Sequence, residues 1–137
     1  MAVNRKFVEM NNMLPLGPTL PQQAAGTGDG VPVLWDSIIP GVLVGNVDAN
    51  QNGIVQSDGI WELTVYDTVG GGINAGDKLT IATATNHIEN TAAGAGHVFY
   101  GYATSYPSAA SGSNNPVANP VVGAGLNAVI CVRIGKV

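Results

Sequence analysis

The stretch DANQNGIVQSDG, residues 48–59, admits two incompatible folds. Counted from Asp48, it places Asp48, Asn50 and Asn52 at the first, third and fifth positions of an EF-hand calcium loop, with Gly53 and Val55 at the sixth and eighth. Such a loop needs a helix on each side and a bidentate Glu at the last position. Here that position is Gly59, and the flanks GVLVGNV and GIWELTV have the β-branched, alternating character of strands. Asn52-Gly53 is instead a hairpin signal, because both residues tolerate the positive φ of a type I′ turn. Asp48 and Asn50 support a turn through side-chain bonds to the backbone. The stretch reads as a turn, and the surrounding fold as β.

Outward from it the same pattern continues. VPVLW, GVLVGNV, GIWELTV, KLTIATA, HVFYGYAT and NAVICVRI are short and rich in β-branched and aromatic residues. Between them lie GDG, IIPG, NQNG, VGGGINAGD and NTAAGAG, all turn punctuation. No window carries an apolar repeat at helical spacing over three turns. The fold class is all-β, a small β-barrel or tulip-like or sandwich domain over residues 28–137, with its edges closed or covered. A loop at 105–120, SYPSAASGSNNPVANP, interrupts the strand rhythm.

Residues 1–27 form a separate zone, an extended Pro-containing N-terminal arm. FVEM suits a short strand. In MLPLGPTLPQQ, Pro15, Pro18 and Pro21 recur at the polyproline II period, so this segment is expected to lack backbone pairing and to be no central strand. Read as an arm on a neighbour, it offers Met10, Met13, Leu14 and Leu16 as anchors; read otherwise, it is a flexible tail.

Charged residues make up 10% of the 137-residue chain, against roughly 25% in ordinary soluble domains. A surface so poor in charge suits a protein covered by copies of itself or by a partner. The net charge is −4 with five basic residues, so no cationic footprint for nucleic acid exists. No apolar run approaches a membrane span, and the N-terminus lacks the apolar core of a signal peptide. The chain is therefore expected to stay in the cytoplasm until assembled.

Chemical motifs are sparse. GGINAGDKL, residues 71–79, has the glycine spacing of a P-loop, but Asp77 stands where Lys is needed and Leu79 where Ser or Thr is needed. His87 and His97 are the only histidines, and the single Cys131 lies in the apolar run AVICVRI as a buried bystander thiol. Glu62 alternates with Trp61 and Leu63 in a strand, which leaves paired-carboxylate hydrolysis as a remote alternative. No catalytic residue, metal ligand or cofactor is assigned. In VFYGYATSY, alternation puts Tyr100, Tyr102 and Tyr106 on one face and Phe99, Gly101 and Ala103 on the core side. Tyr100 and Tyr102 are thus candidates for a subunit or partner interface, or for stacking sugars in a carbohydrate- or receptor-binding module; read structurally, they cap the edge of the core.

The order of these segments resembles the capsid cement, or decoration, proteins of tailed bacteriophages. The matching positions are Gly28, Val31, Pro32, Val33, Gly41, Val42, Gly59, Leu63, Gly76, Asp77, Leu79, Gly101, Ala103 and Arg133, covering roughly residues 28–135. The Pro-rich arm and the long loop depart from the pattern. The resemblance implies a small β-domain on the outside of an expanded head, binding the major capsid protein as a homo-oligomer, with a trimer favoured, and no catalytic residues.

Overall fold

The computed structural model describes residues 12–15, 28, 30–35, 38–49, 52–105 and 120–135. The described residues contain strands and turns without helix. The strands are β1 (Asn12–Pro15), β2 (Pro32–Trp35), β3 (Ile39–Val44), β4 (Asn52–Gln56), β5 (Ile60–Tyr66), β6 (Lys78–Ala82), β7 (Ile88–Glu89), β8 (His97–Ala103) and β9 (Asn127–Ile134). They form a four-stranded sheet in the order β1-β4-β3-β2 and a closed barrel in the order β5-β7-β6-β8-β9. The all-β barrel expected from the strand and turn pattern is present.

Barrel closure depends on β5, which pairs antiparallel with β9 from Ile60↔Arg133 to Tyr66↔Asn127 and parallel with the two-residue β7. Alternation sends Leu63 and Val65 of β5, and Ile130, Val132 and Ile134 of β9, into the core. Leu79, Ile81, Ile88, Tyr100 and Ala103 complete it. Five strands leave an interior that side chains fill, so this is a packed core and not a channel. Near the finish of β5 and the start of β9, Ile73 and Val122 form an isolated antiparallel bridge, and both are buried with Val121.

Three strands are entered through one device. Asn74-Ala-Gly-Asp77, Gly94-Ala-Gly-His97 and Gly123-Ala-Gly-Leu126 are each closed by an N–H of the last residue on the carbonyl of the first. Each has its third residue at positive φ, namely Gly76 at 94°, Gly96 at 77° and Gly125 at 70°. That is the glycine requirement of a type II turn, and it starts β6, β8 and β9.

The stretch 48–59 is resolved differently from its reading as a turn. β3 and β4 do pair antiparallel, from Val42↔Gln56 to Val44↔Ile54. Asn52-Gly53, however, are the first residues of β4 and pair with Pro15 and Leu14 of β1. The local turn signal gives way because a second strand supplies partners for that backbone. IIPG is strand from its second residue on: Ile39 and Pro40 open β3 and pair with Trp35 and Leu34. The β4 pairing starts only at Val42, so the N–H that Pro40 lacks is not required there.

Asn12–Pro15, within the segment expected to lack backbone pairing, is paired after all. It occupies the sheet edge, where a proline that cannot donate is tolerated. FVEM and residues 106–119 of the long loop lie outside the described residues.

The sheet is buried on both faces. Leu34 and Val42 join the barrel core, while Val33, Leu43, Val47 and Val55 form a second cluster. The joint between sheet and barrel is held by the Tyr100 hydroxyl, which donates to the Gly41 carbonyl at 2.7 Å. Next to it, a Cβ on Gly101 would fall on the carbonyl oxygen of Arg133 in β9.

Gly101→Ala is therefore expected to destabilise the fold by roughly 1–3 kcal/mol or more, because backbone must move to admit the methyl. Tyr100→Phe keeps the packing and should cost about 1–2 kcal/mol for the lost buried hydrogen bond. Urea denaturation of each purified variant measures both.

Candidate functional site

The tyrosine row read from alternation does not form. β6 and β8 pair Leu79↔Gly101 and then Thr80↔Phe99, so Tyr100 is an extra residue in β8, a β-bulge. The bulge resets the alternation and turns Tyr100 inward, where it is 0% exposed. Burial pushes its phenol well above the ordinary range, so it remains a hydrogen-bond donor. Tyr100 is thus corrected from an outward interface residue to the bolt between barrel and sheet.

Tyr102 is half-buried and packs edge-on against Phe99, with ring centroids 5.4 Å apart. Phe99, expected in the core, is partly exposed beside it. A sugar-stacking platform built from Tyr100 and Tyr102 together is excluded by the burial of the first. Tyr106 lies outside the described residues.

Of the arm residues, Met13 and Leu14 fall in β1, paired with Ile54 and Gly53. Met10 and Leu16 lie outside the described residues.

Among the described residues, the groups capable of chemistry do not converge on one site. Cys131 is buried opposite Glu62 across the β5–β9 ladder. Burial, and secondarily the Glu62 charge, raises its thiol pKa, which keeps it protonated and unreactive. His97 Nε2 lies 3.2 Å from Glu89 Oε2, and Thr91 donates to the same oxygen. The His87 ring stacks on Tyr66 at 4.1 Å. Glu62 is exposed on the outer barrel face. Among the described residues no group of three His, Cys, Asp or Glu side chains converges as a metal site would require. The P-loop spacing at 71–79 resolves into the type II turn before β6, with Asp77 Oδ2 accepting the Asn74 N–H at 2.8 Å.

The densest polar cluster went unnoticed in the sequence, and it centres on Asp67. One carboxylate oxygen accepts from the N–H groups of Val69 (3.2 Å) and Gly70 (2.9 Å) and from Asn90 Nδ2 (2.7 Å). The other accepts from the N–H groups of Gly72 and Gly125, each at 2.7 Å. Asn90 Oδ1 in turn takes the backbone N–H and hydroxyl of Thr68. Asp67 is 7% exposed. The Gly125 N–H, with those of Gly72 and Gly70 and the Asn90 amide, outweighs desolvation and holds its carboxyl far below the usual carboxylate range. The available signal was an Asp followed by TVGGG, a string ending in three glycines whose backbone N–H groups can converge on an anion.

An all-β chain that commits Tyr100, Cys131 and Asp67 to internal packing has the character of a scaffold that works through its surface. The family model of the phage cement proteins matches residues 17–118, and the chain belongs to the phage cement protein family. Comparison with curated proteins and with solved structures returns no match. The family is structural and non-enzymatic, which removes the carboxylate-hydrolase alternative, and its members act as cement on the virion capsid. The match takes in part of the Pro-rich segment and stops short of β9, whereas the motif resemblance ran over 28–135.

Because its folded pKa is depressed, Asp67 contributes stability that is complete above the ordinary carboxylate value of 3.8 and lost as pH falls below it. The melting temperature of the protein should accordingly drop as the pH is lowered from 5 to 2. Asp67→Asn is expected to melt lower at pH 7 and to show a flatter acid limb. Equal slopes for the two proteins across a calorimetric pH series would assign the acid loss elsewhere.

Proposed function

We propose that this protein decorates the outer surface of an expanded phage head, where it binds the major capsid protein and stabilises contacts between capsomers. The observation that carries this reading is the cement-family match over residues 17–118. Its mechanism is mechanical. Individually weak contacts repeated around the shell add through avidity, and a homo-oligomer, a trimer by preference, multiplies the contacts each unit makes.

The arm is proposed as one contact element. β1 sits at the edge of the four-stranded sheet and, among the described residues, pairs with β4 alone, so the same segment suits strand or groove recognition on an adjacent capsid subunit. Met10, Met13, Leu14 and Leu16 are its proposed apolar anchors. Tyr102, with Phe99 beside it, is the proposed aromatic contact on β8. The low charge of the chain supports the reading, since interface cores are depleted of charged residues.

Quantitative staining of purified virions should show this chain in copy numbers approaching that of the major capsid protein; a handful per particle would place it at a vertex or tail. Deleting residues 1–20 is expected to leave a folded β-domain that binds heads much more weakly. Undiminished binding by the truncated protein would remove the arm from the mechanism.

A further inference from the structure

Two exposed aliphatic side chains stand where the barrel's polar tie is strongest. Val69 is 69% exposed and Leu126 64% exposed. Val69 lies on the loop leaving β5 and Leu126 on the turn entering β9. The Asp67 carboxylate holds the N–H of Val69 and, through Gly125, the residue before Leu126. The Leu126 carbonyl accepts the Asp67 N–H at 2.9 Å, and the Leu126 N–H closes its own turn on Gly123. Both aliphatic residues are therefore fixed in place while facing water, an arrangement from which the isolated fold draws no burial.

Gly71, between Val69 and the bridged Ile73, adds an independent observation. Its φ is not positive, and a Cβ placed on it meets nothing within 4 Å. Neither backbone conformation nor crowding inside the chain calls for glycine there, although glycine carries the largest entropic cost of ordering. Close approach of a surface from outside the chain does call for it. Residues 68–74 and 120–127 carry no charged side chain, the composition of an interface core.

We propose that Val69 and Leu126, with Gly71 two residues beyond Val69 on the same loop, form a rigid apolar tip that seats in an uncharged apolar depression of the capsid shell. This rests on the capsid-binding reading above and names the surface that makes the contact. The shell is the partner that family membership establishes. A contact already ordered by Asp67 loses little conformational freedom on docking, and that saving recurs at every copy on the lattice. The tip offers no charge, so the shell surface that complements it is apolar and uncharged.

The test uses heads assembled without this protein and the full-length chain in cosedimentation. The variants are Val69→Asp, Leu126→Asp, the pair combined, and Gly71→Ala, with Ile38→Asp as a control. Ile38 is as exposed, at 68%, but borders a groove with Ile134 at the opposite end of β9. Each tip variant should weaken head binding by about tenfold or more, the effect of a central interface residue, with melting temperature and solution mass unchanged. Gly71→Ala should melt no lower than wild type and still bind more weakly, a combination that a purely structural role does not produce.

Wild-type binding by the double variant overturns the assignment, as does an equal loss in Ile38→Asp. A fall in solution mass with head binding per copy retained would make the tip an interface between copies, and would also overturn it. If the wild-type protein itself fails to cosediment with heads, the capsid-binding reading fails, and the tip assignment with it.

Discussion

The carboxylate of Asp67 ties together the three strands on which barrel closure depends. β5 is the closing strand, pairing with β9 along its whole length and with β7 over two residues only. Asp67 directly follows β5, and it binds Gly125 just before β9 and Asn90 just after β7. A parallel pair as short as β5–β7 has little ladder of its own, and the side-chain tie extends it. The same charge gathers the N–H groups of Gly70 and Gly72, which lead into the Ile73–Val122 bridge over the core. A buried charge is tolerated here because hydrogen-bond donors surround it on several sides.

The second constraint is the joint between barrel and sheet. One extra residue in β8 turns Tyr100 inward, and its hydroxyl reaches the Gly41 carbonyl of β3. The bulge brings Gly101 against the backbone of Arg133, an approach closed to any residue with a Cβ. Sheet and barrel thereby share the core cluster through Leu34 and Val42. For a cement protein this rigidity has a plain use. Packed, hydrogen-bonded elements join sheet to barrel, and close-packed interiors transmit strain.

Much of the fold was legible from local composition. Six strands read from β-branched runs appear as β2, β3, β5, β6, β8 and β9. The failures have physical causes. Asn52-Gly53 has the chemistry of a hairpin turn, yet it became strand because β1, some forty residues away in sequence, pairs with it. Pro40 has the chemistry of turn punctuation, yet it pairs with β2 in a stretch of β3 whose β4 side is still unpaired, so its missing donor is not needed. β7 is two residues long and leaves no periodic trace.

The sequence by itself determined the class of fold, the glycine turns that start β6 and β8, and membership of the cement family, because each rests on local chemistry or on residue order. The tertiary structure alone decided which aromatic faces outward and which surface is free. Strict alternation exposed Tyr100, and a single-residue bulge reversed it, since every side chain beyond a slip of one changes face. It also decided that Asp67 is a keystone and not one more solvated carboxylate. Its five donors come from three segments that only folding brings together.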